Sequence, residues 1–235
     1  MKKLHRFIGP YQLGVGTMRI DDADLAHQMR SVLQLEPGET VIIGDGAGND
    51  AHCRILSYDR GVVFLEGISL GRNTAESSGQ TTLYCAILKA DHFELAAEKA
   101  TEVGVGEIVP IITKRTVKLN LRLDRVQKIV REAAELAGRG MVPKVHEPVD
   151  FGRAVTMAKK HNANFFFDAS GKPFGAVPKR VKSAGIFIGP EGGWDFTEIE
   201  QAEKVGMKMV SLGALTLRAE TAVIVASYVV ANALK

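Results

Sequence analysis

A chain of 235 residues, 46% hydrophobic and 24% charged, carries enough apolar material for a sizeable core and two unequal domains, which excludes a disordered or fibrous protein. Residues 1–10 are basic without the apolar stretch of a secretory signal, and the longest apolar run, 222–234, contains Ser227 and Asn232 and falls short of the ~20 residues of a membrane span. Cys53 and Cys85 have no CxxC spacing, which argues against a disulfide framework and against a zinc site. These features predict a cytoplasmic protein with no membrane partner and no metal.

In chain order, residues 21–35 predict a helix, with Asp21 or Asp22 as cap and Leu25, Met29, Val32 and Leu33 as its apolar stripe. Short β-rich runs follow at 40–43, 52–57 and 61–68, separated by glycine turns. One helix with several short strands predicts a small barrel-like domain over 1–72. The polar stretch GRNTAESSGQ, 71–80, reads as a linker, and 73–80 is set aside as the join. From 81 to 235, strands at 82–88, 107–112, 164–168, 185–189 and 207–212 alternate with helices at 93–103, 124–137, 151–160, 197–205 and 218–234. That alternation predicts an α/β domain, a mostly parallel sheet with helices on both faces, whose ligands sit at the carboxyl ends of the strands.

Two glycine-bearing loops fall at those ends. In FIGPEGGWDFTEIE, the run Gly189-Pro190-Glu191-Gly192-Gly193 has three glycines in five residues, and so offers backbone without side-chain cover. The second loop is Leu212-Gly213-Ala214-Leu215-Thr216-Leu217-Arg218. Thr197 and Glu200 read as a capping box, so the helix after the first loop is internally satisfied. Neither a Rossmann GxGxxG nor a P-loop is present. The pattern narrows to a ligand held by bare loop backbone without a phosphate-binding helix, a way in which adenosine-like ligands can be held. Trp194 either shields that ligand or plugs the edge of the core.

Net charge is only +3, but residues 113–144 hold nine Lys or Arg against three acids, a local +6 that leaves −3 elsewhere. A one-sided basic segment is either a phosphate-backbone contact or a solvated helix face.

The pair IGPEGGWDFTEIE and LGALTLRAETAVIVASYVVA resembles the C-terminal signature of the SPOUT superfamily of methyltransferases. More narrowly, with HRFI, HQMRSVLQLEPGETVIIGDGAGN, KATEVGVGEIVPIITKRT and REAAELAGR in the same order, it resembles the ribosomal RNA small-subunit methyltransferase E family, which makes N3-methyluridine. The resemblance implies an N-terminal PUA-like RNA-binding barrel, a C-terminal domain with a trefoil knot, a homodimer, S-adenosylmethionine as cofactor and small-subunit ribosomal RNA as substrate. It implies a cofactor site at Gly189, Glu191, Gly192, Gly193, Leu212, Gly213 and Leu217. Arg218 is the candidate for stabilising the uridine anion, and Glu220 for orienting it or moving a proton; the alternative is an Arg218–Glu220 salt bridge that only fixes the loop. Arg6, His27, Arg30, Lys118, Arg122, Arg125 and Arg139 are the candidate RNA contacts. Gln34, Leu136 and Leu215 depart from the Arg, Gln and Arg usual in the family. Those departures leave room for a different RNA substrate, or for a binding factor that no longer transfers methyl groups.

Overall fold

The computed structural model describes residues 4–76, 79–89, 91–117 and 120–234. The chain divides into two compact units, one of Met1–Glu76 with Ala134–Val142, the other of Ser77–Ala133 with Pro143–Lys235. The short return segment around Arg139 thus groups with the first unit, where the sequence suggested domains of 1–72 and 81–235 joined by a linker at 73–80.

The first unit is a five-stranded sheet, β1 (Arg6–Ile8), β2 (Gly16–Asp21), β3 (Thr40–Gly44), β4 (Asn49–Asp59) and β5 (Val62–Arg72), in the order β1-β3-β4-β5-β2. β1 and β3 run parallel and the other pairs antiparallel. The order ends at β1 and β2 without a pairing between them among the described residues, so the sheet is mixed and open where a closed barrel was expected. Alternation along β4 and β5 sends Ala51, Cys53, Ile55, Val63 and Leu65 inward against Leu25 and Met29.

The predicted helix at 21–35 is shorter than its apolar stripe. Asp22 caps α1 (Ala23–His27) by accepting from Leu25 N at 3.0 Å. The chain then widens into a π-helical turn, Gln28–Val32, and Gln34 leaves it at φ 53°. The expected linker is partly structural. The Asn73 side chain donates to Asp50 and to Gly138 O, both at 3.0 Å, and Glu76 binds Arg139.

The second unit is a wholly parallel sheet of β6 (Gln80–Ala86), β7 (Glu107–Ile112), β8 (Lys144–Val145), β9 (Val149–Asp150), β10 (Ala163–Pro173), β11 (Ser183–Ile188) and β12 (Lys208–Ser211). Its order is β12-β10-β11-β6-β7-β8, with β9 also on β7. The helices are α2 (His92–Glu102), α3 (Leu123–Ala137), α4 (Phe151–Ala158), α5 (Phe196–Lys204) and α6 (Ala219–Ala233). Tyr84, Ala86, Val109, Ile111, Phe166 and Phe187 meet α4 and α5 on one face. The intervening Leu83, Cys85, Ile186 and Ile188 point the opposite way, where α6 packs on β6 and β11 and against α2. No helix among the described residues is long and apolar enough to cross a membrane.

Candidate active site

At the carboxyl ends of the strands lies a cavity of about 610 Å³, a size common for small-molecule sites. Its walls come from the end of the regular part of β10 at Phe167–Ala169, the loops after β11 and β12, and His92 at the start of α2.

The loop after β11 closes on itself through a bond from Gly193 N to Pro190 O at 2.8 Å, with Gly193 at φ 71°, where a side chain would be strained. It is also tied from outside. Lys89 N–H donates to Glu191 Oε1 at 2.8 Å, and Arg115 Nη1 donates to Gly192 O at 2.9 Å. Trp194 is buried, its ring centroid 4.3 Å from that of Phe166 and 5.5 Å from that of Phe151, and its Nε1–H donates to Phe167 O at 3.0 Å. It both seals the core edge and forms a cavity wall. A Cβ on Gly189 would sit 3.0 Å from the indole, tight enough that the tryptophan ring would have to give way.

The capping box begins two residues before the expected one. Asp195 is the N-cap of α5 and Glu198 answers it, accepting from Asp195 N at 2.9 Å. Hydrogen bonds from the Thr197 hydroxyl and amide, then Lys114, bring the Asp195 carboxyl down to about 2. Asp195 takes the cap because its short carboxylate, placed directly after Trp194, reaches the Thr197 amide at 3.1 Å.

The loop after β12 carries Leu212, Gly213 at φ 118°, and the exposed Leu215, and ends at Arg218, the N-cap residue of α6. Arg218 is exposed and, among the described residues, makes no ion pair, so the salt bridge to Glu220 considered from the sequence does not form. Glu220 is buried in the first turn of α6, where the helix dipole favours its charge. Across from it stands His92, whose Nδ1 lies 3.8 Å from Glu220 Oε2 and 4.0 Å from Glu191 Oε1. Both distances fall within ion-pair range but beyond hydrogen-bond length, and this buried nitrogen has no hydrogen-bond partner.

Gly189, Glu191, Gly193, Leu212, Gly213 and Leu217 thus line one cavity together with Arg218 and Glu220. Gly192 is not in the lining; its Cα faces the Arg115 side chain. Sequence reasoning missed His92 and Asp168, which also line the cavity. The available signal was their position: Asp168 closes the apolar run 164–168, and His92 opens the helix that follows the run 82–88.

The candidate RNA contacts separate into two groups. His27, Arg30, Arg122 and Arg125 are exposed, with Arg122 paired to Asp124 and Arg125 to Glu94. Arg6 and Arg139 are instead internal. The Arg6 side chain is 10% exposed and paired with Asp50, and that of Arg139 is 7% exposed and held by Glu76, which also accepts from Gly140 N and Met141 N. Counting charge along the sequence does not distinguish such an arginine from a surface one. Lys118 lies outside the described residues.

The profile of the RNA methyltransferase domain family matches residues 75–231. Among curated relatives, ribosomal RNA small subunit methyltransferase E of Mesomycoplasma hyopneumoniae is 35% identical, over 63% of this chain and 68% of that protein. The protein of that name from Synechocystis is 32% identical, over 93% of this chain and 74% of its own length. Among solved structures, ribosomal RNA small subunit methyltransferase E of Neisseria gonorrhoeae, bound to S-adenosyl methionine, superposes with a TM-score of 0.88 at 29% identity, covering 96% of this chain and 95% of that one. With the family profile spanning most of the chain and relatives matched along nearly all of it, this chain belongs to the RNA methyltransferase domain family and, within it, to the ribosomal RNA small subunit methyltransferase E family.

Proposed function

We propose that this chain transfers a methyl group from S-adenosylmethionine to N3 of a uridine in small-subunit ribosomal RNA, in the cytoplasm. The observation that carries the reading is the cavity of about 610 Å³ between the two glycine-bearing loops at the carboxyl ends of the parallel strands. Its lining fits the cofactor: Ile188, Trp194, Leu212 and Leu217 give apolar walls for an adenosine, bare backbone at Gly189, Gly193 and Gly213 offers amides and carbonyls, and Asp168, Glu191 and Glu220 suit a cationic ligand. The Neisseria relative, similar over nearly its whole length, carries the same compound.

When bound, the cofactor supplies an already activated methyl group, which leaves the protein to align the acceptor and manage a proton. Arg218, exposed on the cavity wall and free of an ion pair among the described residues, stabilises the anion that develops on the uridine ring. Glu220, buried beside His92 and not joined to Arg218, fixes the other side of the cavity.

We assign RNA contact to exposed His27, Arg30, Arg122 and Arg125, and take the first unit as the PUA-like RNA-binding body and the second as a SPOUT domain with a trefoil knot. The apolar helix α6, with Val225 and Tyr228 exposed, supports a homodimer.

The test is transfer of labelled methyl from S-adenosylmethionine to small ribosomal subunits from cells lacking this protein, followed by nucleoside analysis. Label in N3-methyluridine is the expected result. Label in another nucleoside would overturn the chemistry, and binding of cofactor and RNA without transfer would make the chain a binding factor.

A further inference from the structure

His92, Glu191 and Glu220 come from three different strand-end segments and meet at one wall of the cavity. Glu191 belongs to the loop after β11, Glu220 to the first turn of α6, and His92 to the first turn of α2. The two carboxylates face the same imidazole nitrogen at 4.0 Å and 3.8 Å, and Asp168 adds a third carboxyl group to the cavity lining. Arg218, also in that lining, is paired with none of them among the described residues. Two carboxylates that share one site repel each other, and repulsion within a partly buried wall pushes their loops apart unless a positive charge lies between them. His92 is the group in position to supply it. The buried Nδ1 has no hydrogen-bond partner, although both oxygens are a few tenths of an ångström to an ångström from bonding distance.

We propose that His92 is a positioning residue for the cofactor site: set between Glu191 and Glu220, it draws the glycine-rich loop and the start of α6 together and so fixes the width of the cavity. The inference rests on the functional reading above, because it takes S-adenosylmethionine as the ligand whose binding the clamp favours. It predicts that positive charge at this position matters more than the shape of the ring or a neutral hydrogen bond.

The experiment is calorimetric titration of the full-length protein with S-adenosylmethionine, for the wild type and for His92→Ala, His92→Gln and His92→Lys, with hydrogen exchange of residues 189–193 followed in each. His92→Ala is expected to raise Kd about tenfold and to speed exchange in the loop, while kcat at saturating cofactor changes by less than about threefold. His92→Lys is expected to restore both affinity and protection to within about twofold, and His92→Gln to restore neither. Unchanged affinity and protection in His92→Ala overturns the proposal, as does full rescue by His92→Gln, which would make a neutral hydrogen bond sufficient. If the wild type itself fails to bind the compound, the functional reading fails. Loop exchange then decides the clamp separately: protection lost in His92→Ala and regained in His92→Lys supports it, and any other pattern removes it.

Discussion

The carboxylate of Glu191 accepts a hydrogen bond of 2.8 Å from the backbone N–H of Lys89, joining the glycine-rich loop after β11 to the loop after β6. Charge-assisted bonds of this kind are stronger than neutral ones. Glu191→Ala is therefore expected to weaken S-adenosylmethionine binding about tenfold, and Glu191→Gln, which keeps an acceptor for Lys89, to fall between it and the wild type. Calorimetry on the purified variants measures both, and equal affinities for Ala and wild type would remove Glu191 from the site.

Gly189 and Gly192 stand three residues apart and should respond differently to the same change. A methyl on Gly189 meets the Trp194 ring at 3.0 Å, whereas one on Gly192 meets Arg115 at an ordinary 3.6 Å. Gly189→Ala is expected to cost about 1–3 kcal/mol and to distort the cavity wall. Gly192→Ala should be nearly silent in thermal unfolding. Trp194→Ala, which empties an aromatic cluster, should cost about 3–5 kcal/mol.

Arg218 is a test of transfer as distinct from cofactor binding. Removing a group that stabilises developing charge lowers turnover by about 10²–10³-fold. Arg218→Ala should show that loss in single-turnover transfer while its affinity for S-adenosylmethionine stays within about twofold. A rise in Kd matching the loss of activity would instead make it a cofactor ligand.

Acid stability carries the signature of His161. Burial, reinforced by Lys160, pushes its pKa down to about 4, against the ordinary 6.5, and Glu107 opposes this only in part. Its Nε2 lies 3.1 Å from the Tyr84 hydroxyl. Between those two pH values the unfolded chain holds a proton that the folded chain does not, so stability falls as pH drops from 6.5 toward 4. The contribution is about 1–2 kcal/mol once solvent access is allowed for. Urea unfolding across this range should show a shallower decline in His161→Gln than in the wild type.

The Glu76 carboxyl, held by Arg139, titrates at lower pH. Burial raises the Glu76 pKa, but hydrogen bonds and charge from Arg139, with the Met141 and Gly140 amides, outweigh it and hold the carboxyl below its ordinary 4.5. The pair thus stabilises the first unit above that value and loses its contribution as pH falls through the lowered one. Arg139→Ala strands a buried carboxylate and should cost about 3–5 kcal/mol. Combining Arg139→Met with Glu76→Leu should cost less than Arg139→Ala alone in the same denaturant assay.

The alternation of strands and helices after residue 80 was legible because each buried strand is a run of apolar residues and each helix has a stripe at helical spacing. α3 is the clearest case, with Val126 and Val130 buried and Arg125 and Lys128 exposed. The glycine loops were legible as interruptions at strand ends. β1, only three residues long, offers too little alternation to read, and the π-helical turn at Gln28 keeps an apolar stripe that mimics an ordinary helix. The meeting of His92 with Glu191 and Glu220 depends on which strands neighbour one another, and local pattern does not encode that order. The same holds for Arg139, whose partner Glu76 is remote in sequence.

The first unit takes its closing contacts from a segment translated long after its strands. Glu135 receives the Ile8 N–H at 2.8 Å, and Arg139 holds Glu76, so both bonds wait for residues that leave the ribosome only after β6, α2 and β7 have been made. The part of the protein that is synthesised first is therefore not the part that can be finished first. Expressed as a fragment, residues 1–76 would present Asn73, Glu76 and the edge of β1 with open valences. A gene cut after the last strand of the first sheet divides one folding unit, and the stretch 134–142 must travel with it.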